Sequence, residues 1–196
     1  MEQALYHPEY GYYSSDRATI GRRGDYFTNV SVGPLFGKLL AIQFVEIWER
    51  LGKFNKFTIV EEGAHHGEFA RDVLEFLQQR SPEFFATLNY LIVEPFPKLR
   101  DRQQQTLAAF GNRVGWSASI NELEPFVGIH FSNELLDSMP INLLGKLVGL
   151  AGAKFVFVDS AVEQAASQSQ KDWVETVAAK LTHGVVLAID YGFSGS

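Results

Sequence analysis

The chain has 196 residues, a formal net charge of −6, 46% hydrophobic and 20% charged residues, and no cysteine. That balance fits one globular domain with a sizeable core. The acidic surplus argues against non-specific nucleic-acid binding, and the lack of cysteine excludes a disulfide framework and any thiolate metal site.

No apolar stretch is long enough to cross a membrane. The opening MEQALYHPEYGYY is neither a signal peptide nor an Arg-rich transit peptide. Residues 1–31 are rich in Tyr and Gly without a helical period, and Tyr12, Tyr13, Tyr26 and Phe27 make them too apolar for a disordered tail. They read as a segment that covers something, with IGRRGDYFT, taken alone, as a surface hairpin. From Pro34 to Leu51, Phe36, Leu39, Leu40, Phe44, Ile47, Trp48 and Leu51 recur at helical spacing, and Gly52 is placed to stop the helix.

Short apolar runs then alternate with helical patterns. FTIVE is a buried strand, and residues 68–80 form a helix with Pro82 just beyond it. NYLIVE is a second strand ending at Glu94, and residues 97–110 are a second helix. Residues 113–117 and 128–134 give further strands, KLVGLAGAKFVFVDS a hairpin, 161–181 a helix and GVVLAIDYG a last strand. The alternation predicts an α/β domain: a parallel sheet with helices on both faces, in a single unit spanning 1–196.

In such a sheet the ligand sits beyond the carboxyl ends of the strands. The residues there are Glu61 to Gly67, Glu94, Ser119 and Ile120, Asn133 and Glu134, and Asp190 and Tyr191, an acid-rich rim. Glu61-Glu62-Gly63-Ala64-His65-His66-Gly67 resembles an E-x-G-x-G-x-G loop with His65 in the middle glycine position. Glycine serves there because the backbone must turn sharply and approach a ligand closely. Glu94, ending the next strand 31 residues after Gly63, suits a ribose diol. The alternative is a structural strand-to-helix turn with solvated acids. Adjacent His65 and His66 are not expected to aim at one ion, so no metal site is predicted. SNELLDSMP brings Asn133, Glu134 and Asp137 to the rim together. They could accept hydrogen bonds from an amine or guanidinium. The alternative is a helix cap at Asp137 or Ser138.

ALYHPEYGYY, IGRRGDYFT, PLFGKLLA with Trp48, the loop at Gly63, VEPFPKLRDRQ and SNELLDSMP follow one another as in the MidA-like family of S-adenosylmethionine-dependent methyltransferases. That family is related to the mitochondrial complex I assembly protein arginine methyltransferase. The resemblance runs from about Met1 to Met139 and returns at AIDYG. It implies a Rossmann-like class I methyltransferase sheet, expected here to lack its last strands. It puts Glu61, Gly63 and Gly67 on the cofactor loop, Glu94 on the ribose and Ser119 and Ile120 beside adenine. Gly24, Asp25 and Thr28 fall near the cofactor, and Asn133, Glu134 and Asp137 on the substrate side as catalytic groups.

The implied cofactor is S-adenosyl-L-methionine and the implied acceptor a protein arginine, a respiratory complex I subunit being the candidate partner. The expected location is cytoplasmic in a bacterium and the mitochondrial matrix in a eukaryote. The sequence after Gly192 is shorter than the family's, so the expectation is a chain truncated at its carboxyl end. The rival reading is a non-catalytic partner-binding module on a degenerate methyltransferase fold. A nicotinamide-dependent enzyme on a similar fold is a third.

Overall fold

A computed structural model describes residues 10–11, 33–136, 138–139 and 168–190. Gly24, Asp25, Thr28, Asp137 and Tyr191 lie outside the described residues, as do nearly all of the amino-terminal segment, the hairpin expected at 146–160, and residues 161–167 of the last expected helix.

The described chain runs α1 (Leu35–Arg50), β1 (Phe57–Glu62), α2 (Glu68–Arg80), α3 (Pro82–Thr87), β2 (Leu88–Val93) and α4 (Pro97–Thr106). A 3-10 segment, Ala108–Arg113, precedes β3 (Val114–Ser117), and a short 3-10 turn, Ile120–Glu122, precedes β4 (Phe126–Asn133). The last two elements are α5 (Gln168–Lys180) and β5 (Leu181–Ile189). All strand pairs are parallel, in the order β3-β2-β1-β4-β5. This is the α/β arrangement that the alternation predicts.

Side chains of alternate strand residues separate two cores. Phe57, Ile59, Tyr90, Ile92, Ile129 and Phe131 face α1, α2 and α3. Val60 and Val93 lie on the other side with Trp173 and Val177 of α5. Burial on both faces is why the strands are continuous apolar runs rather than alternating ones.

Two details differ from the sequence reading. The expected stripe of α1 faces the core except at Leu39: Phe44 and Trp48 are buried, Phe36, Leu40, Ile47 and Leu51 pack against them, and Gly37 and Ala41 complete the buried seam. Leu35, Leu39 and Ile42 are exposed. The cause is close helix packing: a Cβ on Gly37 would lie 2.8 Å from Cβ of Asp72 on α2, so the seam is built on small residues. Pro82, expected only as a stop signal, also opens α3, where its fixed φ and missing N–H suit the first helical turn.

The register aligns the strand ends. Glu62 pairs with Val93 on one side and Ser132 on the other, Val93 pairs with Ser117, and Asn133 with Ile189. Toward the opposite edge the strands meet at a glycine row, Thr58–Gly128–Gly184. A Cβ on Gly128 would fall 1.8 Å from the Thr58 carbonyl oxygen, and one on Gly184 1.8 Å from that of Gly128.

Candidate functional site

The aligned strand ends bring the loop after β1, Glu94 after β2 and the turn after β4 to one edge of the sheet. The loop turns through left-handed backbone at Gly63 (φ +82°), His65 (φ +47°) and Gly67 (φ +84°). His65 therefore takes the backbone conformation that glycine adopts freely and other residues rarely do. Gly63 is exposed. A Cβ there would sit 3.5 Å from Leu135 Cδ1 and 4.0 Å from the Asn133 carbonyl, so the β4 turn walls one side of the loop. Gly67 is buried, with Leu107 and Gln103 beside it, and starts α2 directly.

The carboxylates of the rim are less exposed than the sequence suggests. Glu61 is buried, and Tyr90 Oη donates to its Oε2 at 2.7 Å. Burial pushes this carboxyl up to about 8, against the lowering effect of the tyrosine bond, so it is mostly protonated at neutral pH. Glu62, which the sequence reading passed over, accepts from Trp173 Nε1 at 2.6 Å. His130, fully buried in β4, has Nε2 3.4 Å from the same oxygen but out of line for a hydrogen bond.

Glu94 is also buried, and burial raises its pKa. Its Oε1 accepts from the Phe96 N–H at 3.0 Å and its Oε2 from Gln103 Nε2 at 2.9 Å. Each oxygen keeps acceptor capacity beyond these bonds. Gln103 is wholly buried. The same Nε2 donates to the His65 carbonyl at 2.8 Å, and its Oε1 accepts from Trp116 Nε1 at 3.0 Å. The sequence reading missed Gln103. Its signal was a polar residue on the α4 face shared with Phe96, Arg100 and Leu107, at spacings of four, three and four.

Beyond β3, the Ser119 hydroxyl accepts from the Asn121 N–H and caps the short 3-10 turn, while Ile120 packs into the α5-side core. Glu122 holds the same corner through Ser117 Oγ at 2.9 Å and the Ala118 N–H at 3.1 Å.

The turn after β4 carries the sharpest chemical signal. Glu134 adopts left-handed backbone, φ +53°, and its N–H donates to the Ile189 carbonyl at 2.8 Å. Asn133 Oδ1 and Glu134 Oε1 are shielded from solvent and have no hydrogen-bond partner among the described residues. Buried acceptors left in this state are costly unless a donor arrives. Asp190 is committed differently: its Oδ2 accepts from the Leu136 N–H at 2.9 Å and ties the turn to β5.

His65 and His66 stack with ring centroids 3.7 Å apart, and Glu68 joins them, one ligand atom of each lying within 4.8 Å of the others. The sequence reading did not expect the two rings to converge. Burial, then the neighbouring His66, lowers the His65 pKa to about 4, so it is neutral at physiological pH. Arg102 Nη1 lies 3.0 Å from His66 Nε2. A guanidinium only donates, so that nitrogen's lone pair is engaged and a positive charge stands against the cluster. Stacked rings also hold their in-plane lone pairs side by side rather than aimed at one point, which is poor ion geometry.

A parallel sheet with this strand order, a glycine-bearing loop after β1 and an acid after β2 define a Rossmann-like methyltransferase fold. The chain belongs to the family described as "Putative S-adenosyl-L-methionine-dependent methyltransferase", whose profile matches residues 39–161. It is 27% identical over 162 residues to the Drosophila melanogaster mitochondrial protein arginine methyltransferase NDUFAF7 homolog, covering 74% of this chain and 37% of that protein. It is 27% identical over 180 residues to human mitochondrial protein arginine methyltransferase NDUFAF7, covering 81% and 40%. The chain thus spans about two fifths of the length of these curated relatives. A Burkholderia thailandensis structure with S-adenosyl-homocysteine bound superposes with TM-score 0.73 at 29% identity, over 98% of this chain and 57% of that one. The MidA-like resemblance is therefore borne out. Among the described residues no helix is long and apolar enough to cross a membrane.

Proposed function

We propose that this chain is the cofactor-binding region of an S-adenosylmethionine-dependent methyltransferase that acts on a protein arginine. The observation that carries this reading is the pair of shielded acceptors, Asn133 Oδ1 and Glu134 Oε1, which have no partner among the described residues, on the turn that walls Gly63. The residues fit the cofactor. The loop from Gly63 to Gly67 offers close backbone approach, and Glu94 keeps acceptor capacity for a ribose diol. S-adenosylmethionine supplies a methyl group already activated on a sulfonium.

The chain's own task is alignment. Gly63 and Gly67 shape the loop, and Ser119 and Ile120 set the corner proposed to flank adenine. Gly24, Asp25 and Thr28 complete the cofactor side in this reading, as the family resemblance implies. Asn133 and Glu134, with Asp137, hold a guanidinium so that one nitrogen faces the methyl. Methyl transfer to a guanidinium nitrogen releases one proton, with the Glu134 carboxylate as its acceptor. The NDUFAF7 relatives support a protein acceptor, and a respiratory complex I subunit in the mitochondrial matrix or bacterial cytoplasm is the finer proposal.

Calorimetry with S-adenosylmethionine, S-adenosylhomocysteine and NAD in parallel tests the cofactor. Binding of the first two and not the third is expected. Absence of binding below millimolar would favour the non-catalytic partner-binding reading. With an arginine-containing protein substrate, Glu134→Gln should lower kcat about a hundredfold or more, as loss of one oriented charged contact does, while S-adenosylhomocysteine affinity changes little. Equal loss of both would remove Glu134 from the substrate side.

A further inference from the structure

Gln103 sits on α4, at the end of the VEPFPKLRDRQ stretch that holds Glu94, and it touches both that acid and the loop after β1. Its amide is used completely. Two hydrogens go to Glu94 Oε2 (2.9 Å) and the His65 carbonyl (2.8 Å), and its oxygen takes the Trp116 indole N–H (3.0 Å). The indole donates only, so the amide has a single satisfying orientation. Trp116 on β3 therefore fixes the rotation of Gln103, and Gln103 fixes Glu94. The side chain is fully buried, so water does not replace these bonds when they are lost.

The second acceptor is as informative as the first. His65 holds a left-handed backbone without being glycine. A direct bond to its carbonyl restrains the peptide at the point where the loop departs from the glycine pattern. One amide thus couples the orientation of the acid to the shape of the loop.

We propose that Gln103 is a positioning residue for the cofactor site: it aims the Glu94 carboxylate at the ribose hydroxyls and pins the loop at His65, with Trp116 as its anchor. The proposal rests on Glu94 being the ribose acid.

The test is calorimetry on the full chain with S-adenosylhomocysteine and its 2′,3′-dideoxyribose analogue, in wild type, Gln103→Met and Glu94→Leu, each checked for folding by its melting transition. Wild type should prefer the hydroxylated ligand by about tenfold or more, as bonds to a charged group imply. Glu94→Leu should erase the preference. Gln103→Met should bring it close to one as well, although Glu94 is still present. If Gln103→Met weakens both ligands equally and keeps the preference, Gln103 is only structural and the proposal fails. If Glu94→Leu keeps the preference, the ribose role of Glu94 fails instead, and the two failures are distinct. Should Gln103→Met not fold, Gln103→Leu carries the same test. It is shorter and has no donor for Glu94 or the His65 carbonyl. Retained preference in Gln103→Leu would likewise overturn the proposal.

Discussion

His65 is where the chain departs most visibly from a glycine loop. A non-glycine residue at φ +47° costs roughly 1–2 kcal/mol, partly offset because glycine loses more backbone entropy on folding. The ring stacks on His66, and the cluster with Glu68 and Arg102 lies toward α2 and α4. His65→Gly should therefore raise Tm by about 2–4 °C, the equivalent of about 1 kcal/mol for a domain of this size. Calorimetry should show S-adenosylhomocysteine affinity changed by less than about threefold. A much larger gain in affinity would mean that the imidazole obstructs the cofactor. The substitution itself was legible in the sequence, since Gly63 and Gly67 frame it at the expected spacing. Where the ring goes was not, because that depends on His66 beside it and Arg102 thirty-seven residues further along.

Among the elements, the packing of α1 on α2 depends on one residue without a side chain. Alanine is favoured over glycine in a helix by about 1 kcal/mol, which alone would make Gly37→Ala stabilising. The 2.8 Å approach to Asp72 Cβ reverses the sign, because the helices must move apart, at a cost of about 1–3 kcal/mol. Gly37→Ala should thus lower Tm by several degrees. Leu39→Gln, on the exposed face, should stay within about 0.5 kcal/mol of wild type in the same denaturation experiment. A stable Gly37→Ala variant would show that the seam can relax. Helix positions were legible here because their periodicity is local, and residues 68–80 were marked as a helix with the bounds of α2. The buried face was legible at Phe44 and Trp48 but not at its margin. Leu39 is as apolar as Phe44, and only the partner helix decides that it stays outside.

For the whole molecule, a buried carboxyl and a half-buried imidazole shape stability against pH in opposite senses. Glu61 is raised from 4.5 to about 8. Between those values the folded chain holds a proton that the unfolded chain has released, so stability falls as pH rises. His65 is lowered from 6.5 to about 4. Between those values the unfolded chain binds the proton first, so stability rises with pH. The two slopes oppose each other below pH 6.5, and that of Glu61 acts without His65 from 6.5 to 8.

Urea midpoints should fall across that upper window, with Glu61 alone contributing the equivalent of about 1.4 kcal/mol per pH unit at most. Glu61→Gln should reduce the slope and leave the variant more stable than wild type at pH 8. Glu94 shifts in the same direction, so the change in slope is the readout. An unchanged slope would mean that Glu61 is ionised in the fold. The parallel sheet was legible from apolar runs alternating with helices, and the rim from the residues that end those runs. The partners that bury Glu61 and orient Glu94 were not. Tyr90 is 29 residues from Glu61, and two carboxyls of the acid-rich rim, Glu61 and Glu94, are folded inward, each onto a neutral partner.

The glycine row Thr58–Gly128–Gly184 has a consequence for how this domain can change. At Gly128 and Gly184 no substituent fits, because the space for even a methyl group is already occupied by a carbonyl of the adjoining strand. At the opposite end, the loop after β1 has accepted an imidazole in a left-handed position and still closes onto α2. Freedom to vary is therefore polarised along the strands. One end is frozen by backbone contact, and the other can exchange side chains without disturbing the pairing beneath it. New ligand preferences can arise at the second end while the first keeps the strands in register.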